Sequence, residues 1–198
     1  MNVVFDLGMV LIEWDPRHLY RKVFSDEAKM EWFLAEVCSP EWNLEQDRGR
    51  AWEDAIAEAT RRHPMWEHEI RLFRSRWMDM VPGAIDGSVK ILEALHKRGV
   101  PVYAITNWNG DTFRETRDRF AFLSLFRDIV VSGDEQIIKP DPAIFHLLAE
   151  RNGLALSQSL FIDDSARNVA GAEAVGMKGH HFTSPRALRQ ALKTQGLL

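Results

Sequence analysis

Two apolar runs in this chain end in acids, one run near each end of the sequence. Asp6 follows residues 3–5, and Asp163 and Asp164 follow residues 160–162. Runs rich in Val, Ile and Phe suit buried strands, whereas a carboxylate does not suit a sheet interior, so each acid is expected where its strand ends. In parallel α/β sheets, ligands bind at that edge. Three carboxylates gathered there would form a divalent-cation site, with one acid free to act as a nucleophile.

Other polar side chains follow the remaining predicted strands. Thr106 and Asn107 come directly after one apolar run, and Lys139 lies in the loop after another. A carboxylate can attack phosphorus, and oxygen ligands can hold Mg²⁺ beside it. A hydroxyl, an amide and an ammonium group can then bind the phosphate oxygens, where transition-state charge collects. The combined set therefore predicts a site for phosphoryl chemistry.

Predicted strands and helices alternate from residue 82 onward. Strands are predicted at residues 2–7, 102–105, 129–131, 160–162 and 179–182, and helices at 88–97, 111–120, after Asp141-Pro142, and at 166–175. Such alternation favours an α/β fold with a parallel sheet covered on both faces, a three-layer α/β/α Rossmann-like arrangement. We therefore assign residues 1–15 and 83–198 to this core.

Residues 16–82 show helix signals without strand signals and are predicted to be an α-helical insertion over the carboxyl edge of the sheet. Asp26 is expected to cap its first long helix, and Pro40 and Pro64 divide the segment further. A stripe of apolar residues at helical spacing is interpreted as core packing between helices: Trp66, Ile70, Phe73 and Trp77.

Composition narrows the function classes. The chain has 198 residues and a formal net charge of −4, which gives no reason to expect nucleic acid or an anionic membrane as partner. Its one cysteine, Cys38, excludes an internal disulfide and a cysteine-based zinc site. Neither a signal peptide nor an apolar run of membrane-spanning length is recognised. We therefore expect a soluble, cytoplasmic protein.

The ordered motifs resemble those of the haloacid dehalogenase superfamily, whose members are mostly Mg²⁺-dependent phosphatases. The resemblance covers nearly the whole chain. Four motifs occur in the family's order: Asp6 in VVFDLGMVL, Thr106 in AITN, Lys139 in IIKPDP, and Asp163 and Asp164 in FIDDSARN. Each motif is weak alone, but the ordered set is specific. The resemblance implies that the helical insertion is the family's cap.

The resemblance also implies a role for each matching residue. Asp6 would be the nucleophile, and Thr106 and Lys139 would hold the phosphate with help from the Asn107 backbone. Mg²⁺ would be held by Asp6, the Gly8 carbonyl, Asp164, and Asp163 either directly or through water. Two further residues are candidate substrate contacts, weighed against core packing for Trp108 and a solvated side chain for Arg48.

The chain departs from the family pattern at Gly8, where most phosphatases of the family have a second Asp that serves as general acid and base. Bacterial sugar-phosphate phosphatases such as the glucose-1-phosphate enzyme share the FDLG motif, so the resemblance implies a sugar-phosphate substrate. A catalytically weakened module that binds Mg²⁺ and phosphate remains an alternative. A metal-free 2-haloacid dehalogenase is disfavoured, because such enzymes lack the acidic pair and have an aromatic residue at the position of Gly8.

Overall fold

A single five-stranded parallel sheet forms the centre of the protein, and the computed structural model describes residues 1–198. The strands are arranged in the order β3-β2-β1-β4-β5. Their bounds are β1 Asn2–Phe5, β2 Val102–Thr106, β3 Ile129–Val131, β4 Ser159–Asp163 and β5 Lys178–His181. All neighbouring strands are parallel. The order places β1 and β4, which precede the acids, side by side.

Eleven α-helices connect and cover these strands. They are α1 Arg17–Tyr20, α2 Glu27–Glu36, α3 Pro40–Asp47, α4 Trp52–Arg62, α5 Glu67–Ser75, α6 Asp86–Lys97, α7 Gly110–Arg117, α8 Ser132–Glu135, α9 Pro142–Asn152, α10 Ala166–Ala174 and α11 Pro185–Thr194. Short 3₁₀ turns occur at Pro64–Trp66, Trp77–Met80, Ala121–Leu125 and Leu156–Gln158.

Alternating side chains of the strands pack on opposite faces of the sheet. Val3 and Phe5 of β1 belong to an apolar cluster with residues of α6 and α11, whereas Val4 belongs to a second cluster with residues of α9 and α10. The same alternation holds in β2 and β4. A strand that is apolar on both faces must be covered on both faces, so the sheet lies between two helical layers. This confirms the predicted three-layer α/β/α fold.

Side-chain caps explain where several helices begin. Asp26 accepts hydrogen bonds from the backbone amides of Ala28 and Lys29 at the start of α2. Asp141 caps α9 with Pro142 at its first position, and Ser165 caps α10. These caps satisfy backbone amides that have no partner inside the helix. The predicted helix starts at Asp26 and Asp141 are thus confirmed.

Some predicted bounds differ from the structure. The first strand ends at Phe5 rather than residue 7, because the chain turns at Leu7, whose carbonyl accepts from Leu11 and Ile12. The aromatic stripe does not lie on one helix. Trp66 ends a 3₁₀ turn and Trp77 begins another, since the helical conformation is lost on either side of α5. α11 was not predicted from the sequence.

The chain leaves the sheet region and returns to it at one place, where residues 12–13 contact residues 83–84. Ile12 forms an antiparallel bridge with Ala84, and the Glu13 amide donates to the Gly83 carbonyl at 2.9 Å. Helices α1 to α5 lie between Glu13 and Gly83 in the sequence. Their buried residues, including Phe33 and Phe73, share one apolar cluster with Phe5 of the sheet. The proposed division into core and cap at residues 16 and 82 stays a prediction.

None of the helices combines the length and the apolar character that crossing a membrane would require.

Candidate active site

The sheet register brings the acids of β1 and β4 together. Phe5 pairs with Ile162, so the next residue on each strand is an aspartate, Asp6 or Asp163. The Asp6 amide donates to the Ile162 carbonyl at 2.8 Å and extends the ladder by one step. Thr106 ends the neighbouring strand β2 and is buried. The expected meeting of strand ends at one edge of the sheet is therefore present.

Lys139 connects the two aspartates. Its Nζ lies 2.8 Å from Asp6 Oδ1 and 2.7 Å from Asp163 Oδ2. The exposed fractions of the three side chains are 1% for Lys139, 11% for Asp6 and 0% for Asp163. Burial lowers the pKa of Lys139, but the two carboxylates outweigh it and hold that pKa above its ordinary value. Lys139 is therefore a buried cation shared by two acids.

Asp163 is saturated with hydrogen-bond donors. Its Oδ1 accepts from the Ser165 amide at 2.8 Å and from Asn168 Nδ2 at 3.1 Å. Its Oδ2 accepts from Lys139 Nζ and from Asn168 Nδ2 at 3.2 Å. Asn168 therefore orients the acid. A carboxylate held in this way positions Lys139 and has little freedom to reorient.

Asp6 is differently placed, because both hydrogen bonds that it accepts end on one oxygen. Oδ1 receives the Leu7 amide at 2.7 Å and the ammonium of Lys139, which leaves Oδ2 without a donor. Burial, followed by repulsion from Asp163, raises the pKa of Asp6 to about 7 against the opposing charge of Lys139. Asp6, which carries this free oxygen, lines a cavity.

The three acids fit a hard divalent cation. Asp6, Asp163 and Asp164 each offer an oxygen, and these oxygens lie within 4.8 Å of one another. When the acids are ionised, Lys139 compensates only one of their three charges. Burial first, and the neighbouring Asp163 second, raise the pKa of Asp164 as well. An all-oxygen donor set with two excess negative charges suits Mg²⁺.

Asn107 holds the loop from which Lys139 extends. Its Oδ1 accepts from the Lys139 amide at 2.8 Å, and its Nδ2 donates to the Lys139 carbonyl at 3.2 Å. Both polar ends of the Asn107 side chain are thus used to fix this loop. The residue still lines the cavity, which is consistent with the expected contribution from its backbone rather than its side chain.

A cavity of about 190 Å³ opens above these acids. Strand ends and the helical insertion both contribute to its wall. The lining residues are Asp6, Gly8, Met9, Trp14, Asn43, Asp47, Trp77, Asn107, Trp108 and Asp164. Carboxylates and three indole rings both line this space, so the cavity can receive both a charged group and an organic group.

The two candidate substrate contacts have different outcomes. Trp108 is buried, packs against Trp77 and Phe113, and also lines the cavity, so it does pack in the core, and its contact with substrate stays a prediction. Arg48 does not line the cavity. It is exposed, follows the last residue of α3, and its Nε lies 3.7 Å from Oε1 of Glu45. The end of α3 thus directs Arg48 to solvent in this structure, and its contact with a substrate stays a prediction.

The preceding residue, Asp47, is the one that lines the cavity, and it was not among the predicted site residues. It is 8% exposed, and its Oδ2 accepts from Asn43 Nδ2 at 3.2 Å. Burial, with a smaller contribution from Asp6, raises the pKa of Asp47 to about 8. No local sequence signal distinguishes Asp47 from other helix-end acids, since its placement depends on contacts with distant loops.

Comparison with known proteins gives a consistent assignment. A model of the haloacid dehalogenase-like hydrolase family matches residues 3–176. A sesquiterpene phosphatase from Aspergillus oryzae is 27% identical over 192 residues, which cover 96% of this chain and 93% of the relative. A phosphoglycolate phosphatase from Pseudomonas fluorescens is 34% identical over 118 residues, which cover 57% of this chain and 42% of the relative.

Solved structures share the fold. A HAD-like family hydrolase from Porphyromonas gingivalis has a TM-score of 0.73 at 20% identity and covers 97% of each chain. A HAD family enzyme from Bacteroides thetaiotaomicron, complexed with magnesium and inorganic phosphate, has a TM-score of 0.69 at 20% identity, covering 92% of this chain and 94% of that one. Together with the ordered motifs and the clustered acids, the family match establishes that this chain belongs to the haloacid dehalogenase-like hydrolases.

Proposed function

We propose that the protein is a Mg²⁺-dependent phosphatase that hydrolyses a small phosphorylated metabolite through an aspartyl-phosphate on Asp6. The observation behind this proposal is the state of the Asp6 carboxylate. One oxygen is fixed by Lys139 and the Leu7 amide, while the other is free and the residue borders the cavity. A nucleophile needs this combination of fixed orientation and an available lone pair.

The metal site supports the same chemistry. The residues that would hold Mg²⁺ are Asp6, Gly8 through its carbonyl, Asp164, and Asp163. Because the Asp163 oxygens already accept hydrogen bonds from Lys139, Ser165 and Asn168, its contribution is best made through water. When bound, Mg²⁺ would reduce the repulsion between the carboxylates and a phosphate dianion.

The protein's own groups then account for the first chemical step. Asp6 Oδ2 attacks phosphorus in line with the leaving oxygen, and the phosphorus–oxygen bond to the leaving group breaks. Lys139 favours the ionised form of Asp6 against the effect of burial and adds positive charge near the phosphate oxygens. Thr106 and the Asn107 backbone, at the end of β2, offer hydrogen bonds to those oxygens as charge develops on them.

The surroundings of the acids support a small substrate. The cavity volume of about 190 Å³ lies below the range of about 300–1,000 Å³ typical of pockets for drug-sized ligands. Trp14, Trp77 and Trp108 offer aromatic faces, and Asn43 and Asp47 add polar groups. Aromatic faces with interspersed polar groups suit a sugar ring, so we assign a sugar phosphate as the preferred substrate class.

An isoprenoid monophosphate is the competing substrate class. The relative that matches nearly this whole chain is a sesquiterpene phosphatase. A second cavity also shares Trp14 and Asn43 with the first and is lined partly by Leu34, Ala35 and Phe73. An apolar chain extending from the phosphate would find apolar contacts there.

The function is tested with p-nitrophenyl phosphate in the presence of Mg²⁺ and, separately, of EDTA. We expect turnover with Mg²⁺, its loss with EDTA, and its loss in Asp6→Asn. Asp118→Asn is the matched control, because it makes the same change at an exposed acid outside the cavity. If turnover in Asp6→Asn equals that of the parent protein, the nucleophile assignment is wrong.

Other outcomes would identify the alternative functions. Binding of Mg²⁺ and phosphate by a folded protein without turnover would indicate a regulatory module. Metal-independent release of halide from a 2-chloro acid would indicate a dehalogenase. Once phosphatase activity is seen, hexose phosphates and farnesyl phosphate compared by kcat/KM distinguish the two substrate classes.

A further inference from the structure

Gly8 leaves a chemical gap at the proposed phosphatase site, and the following inference rests on that proposed function. An alkoxide is a poor leaving group unless it is protonated as it departs, and general acid catalysis is worth about 10²–10⁴-fold. Gly8 has no side chain to supply the proton. The space beside it is open, since an ideal Cβ on Gly8 would meet no atom within 4 Å. Another group must therefore donate the proton from elsewhere in the cavity.

Asp47 is the one remaining acid in the cavity wall. The wall contains three carboxyl side chains, of which Asp6 and Asp164 belong to the nucleophile and metal set. Asp47 instead comes from α3, in the helical insertion. It thus approaches the cavity from the segment that would surround the organic part of the substrate, where a leaving oxygen would emerge.

Contacts with the sheet loops fix the position of Asp47. Ser132, directly after β3, donates through Oγ to the Asp47 carbonyl at 2.5 Å. Asn109, in the loop after β2, donates through Nδ2 to the Gln46 carbonyl at 3.1 Å. Asn43, one turn earlier in α3, holds the carboxyl itself at Oδ2. Asp47 is therefore held on both its backbone and its side chain.

A close approach of two glycines explains how α3 comes so near these loops. Gly49 has φ +103°, and an ideal Cβ on it would lie 2.9 Å from the Gly133 carbonyl oxygen. An ideal Cβ on Gly133 would in turn lie 2.6 Å from the Gly110 amide nitrogen. A side chain at Gly49 would push the insertion away from the loop after β3, and one at Gly133 would push that loop away from the loop after β2. The glycines thus allow Asp47 to reach the cavity.

The charges around Asp47 favour its protonated form. It has no ion-pair partner, and its pKa of about 8 results from burial first and the charge of Asp6 second, against the Asn109 amide and Lys139. Lys139 is itself engaged by Asp6 and Asp163. On the packed helix α8, Asp134 is paired with Arg114, and on α3 itself Glu45 and Arg48 are exposed. Lys139 is therefore the cation that favours the Asp47 carboxylate, and its effect does not offset that of burial.

We infer that Asp47 is the general acid and base of this enzyme and replaces the carboxyl that is missing at position 8. In the first step, Asp6 forms a bond to phosphorus, the leaving-group oxygen departs, and the Asp47 carboxyl transfers its proton to that oxygen. In the second step, the Asp47 carboxylate takes a proton from water as the water oxygen attacks phosphorus. This step releases phosphate, restores the Asp6 carboxylate and leaves Asp47 protonated.

The test compares two substrates of nearly equal size but different leaving groups. p-Nitrophenol is acidic and leaves without much protonation, whereas phenol resembles the tyrosine side chain, whose pKa is about 10. In Asp47→Asn, we expect kcat/KM for phenyl phosphate to fall at least about tenfold more than kcat/KM for p-nitrophenyl phosphate. Equal losses on both substrates, or no loss on either, would overturn the inference.

A control and a second measurement separate catalysis from folding. Glu45→Gln makes the matched change at an exposed acid of the same helix and should leave the ratio of the two kcat/KM values unchanged. With p-nitrophenyl phosphate, Asp47→Asn should also show a burst of p-nitrophenol, because the slowed second step lets the aspartyl-phosphate accumulate. Absence of the burst together with an unchanged ratio would count against the assignment.

A second variant covers the case in which Asp47→Asn loosens the contact between the insertion and the loops. Gly8→Asp in the Asp47→Asn background supplies a carboxyl from the opposite wall, where space is open. Preferential recovery of phenyl phosphate hydrolysis is expected. Failure of the proposed function is distinguishable throughout, since the parent protein would then turn over neither substrate in a manner dependent on Asp6.

Discussion

The Nζ atom of Lys139 lies 2.8 Å from Oδ1 of Asp6. Both residues are buried, so water does not replace this contact. The same ammonium lies 2.7 Å from Asp163. A buried cation shared by two carboxylates has electrostatic consequences in both directions. Its loss leaves two like charges without compensation, and its presence lets Asp6 remain ionised next to a phosphate.

Lys139→Met therefore is expected to lower both stability and activity. Removing one partner of a buried ion pair costs about 3–5 kcal/mol, and removing a positive group from a phosphate site lowers kcat by about 10²–10³-fold. The loss of stability should be larger at pH 8 than at pH 5, because protonation can neutralise the unpaired carboxylates at pH 5 but not at pH 8. Urea unfolding at both pH values and steady-state kinetics measure these effects.

Lys178→Met serves as the control for this variant. Lys178 is exposed at the start of β5 and forms no ion pair, so its substitution should have little effect on either quantity. A Lys139→Met protein as stable as the control variant would show that the buried ammonium is dispensable for the fold.

Mg²⁺ should stabilise the folded protein before any substrate is added. The three acids hold two excess negative charges, so a divalent cation that binds them raises the melting temperature by mass action. Asp164→Asn should require a higher Mg²⁺ concentration for the same rise, since it removes the exposed carboxylate of the set. Thermal unfolding followed over a Mg²⁺ titration tests this, with Asp118→Asn as the control and Na⁺ at equal ionic strength as the reference.

Gly49→Ala should disturb the contact between the insertion and the loops. Gly49 has φ +103° and would place a Cβ 2.9 Å from the Gly133 carbonyl oxygen, whereas Gly99 has φ +73° but would meet no atom within 4 Å. Gly99→Ala is thus a matched control that shares the backbone strain without the clash. We expect both variants to lose stability by about 1 kcal/mol or more. The loss should be larger for Gly49→Ala, and only this variant should show a fall in kcat/KM. Equal behaviour of the two would contradict the clash.

The positions of some site residues could be predicted from the sequence, and those of others could not. Asp6, Asp163 and Lys139 were predicted because each follows an apolar strand, and the carboxyl ends of parallel strands meet at one edge. The sequence did not indicate that Asp47 rather than Arg48 lines the cavity, because one step along a helix rotates a side chain by about 100° and no local pattern fixes which of the two faces it. That choice depends on the distant contacts of Ser132 and Asn109.

The sequence also could not predict the bounds of every helix in the insertion. Apolar spacing predicted core packing of a four-residue stripe. Ile70, Phe73 and Trp77 are buried, and Trp66 is half-buried against the same apolar cluster. The spacing could not indicate that the helix ends at Ser75 and that Trp77 starts a 3₁₀ turn, since the same residues stay buried in either conformation. Hydrophobic pattern therefore identified the core better than it identified the element bounds.

The protonation of Asp47 should be visible in the pH dependence of stability. Its pKa is about 8 in the folded protein against 3.8 for an ordinary aspartate, so the folded state binds the proton more tightly than the unfolded state. Stability contributed by this group is then complete below pH 4 and is lost as the pH rises toward 8. Asp47→Asn cannot ionise and should escape that loss.

The melting temperature of Asp47→Asn relative to the parent protein should accordingly increase between pH 5 and pH 8.5. For a chain of this size each 1 kcal/mol corresponds to about 2–4 °C, so the change is measurable by calorimetry. Asp118→Asn alters an exposed acid and should give the same difference at both pH values. If the Asp47→Asn difference is also independent of pH, the carboxyl is ionised in the folded protein, and a neutral proton donor at this position is excluded.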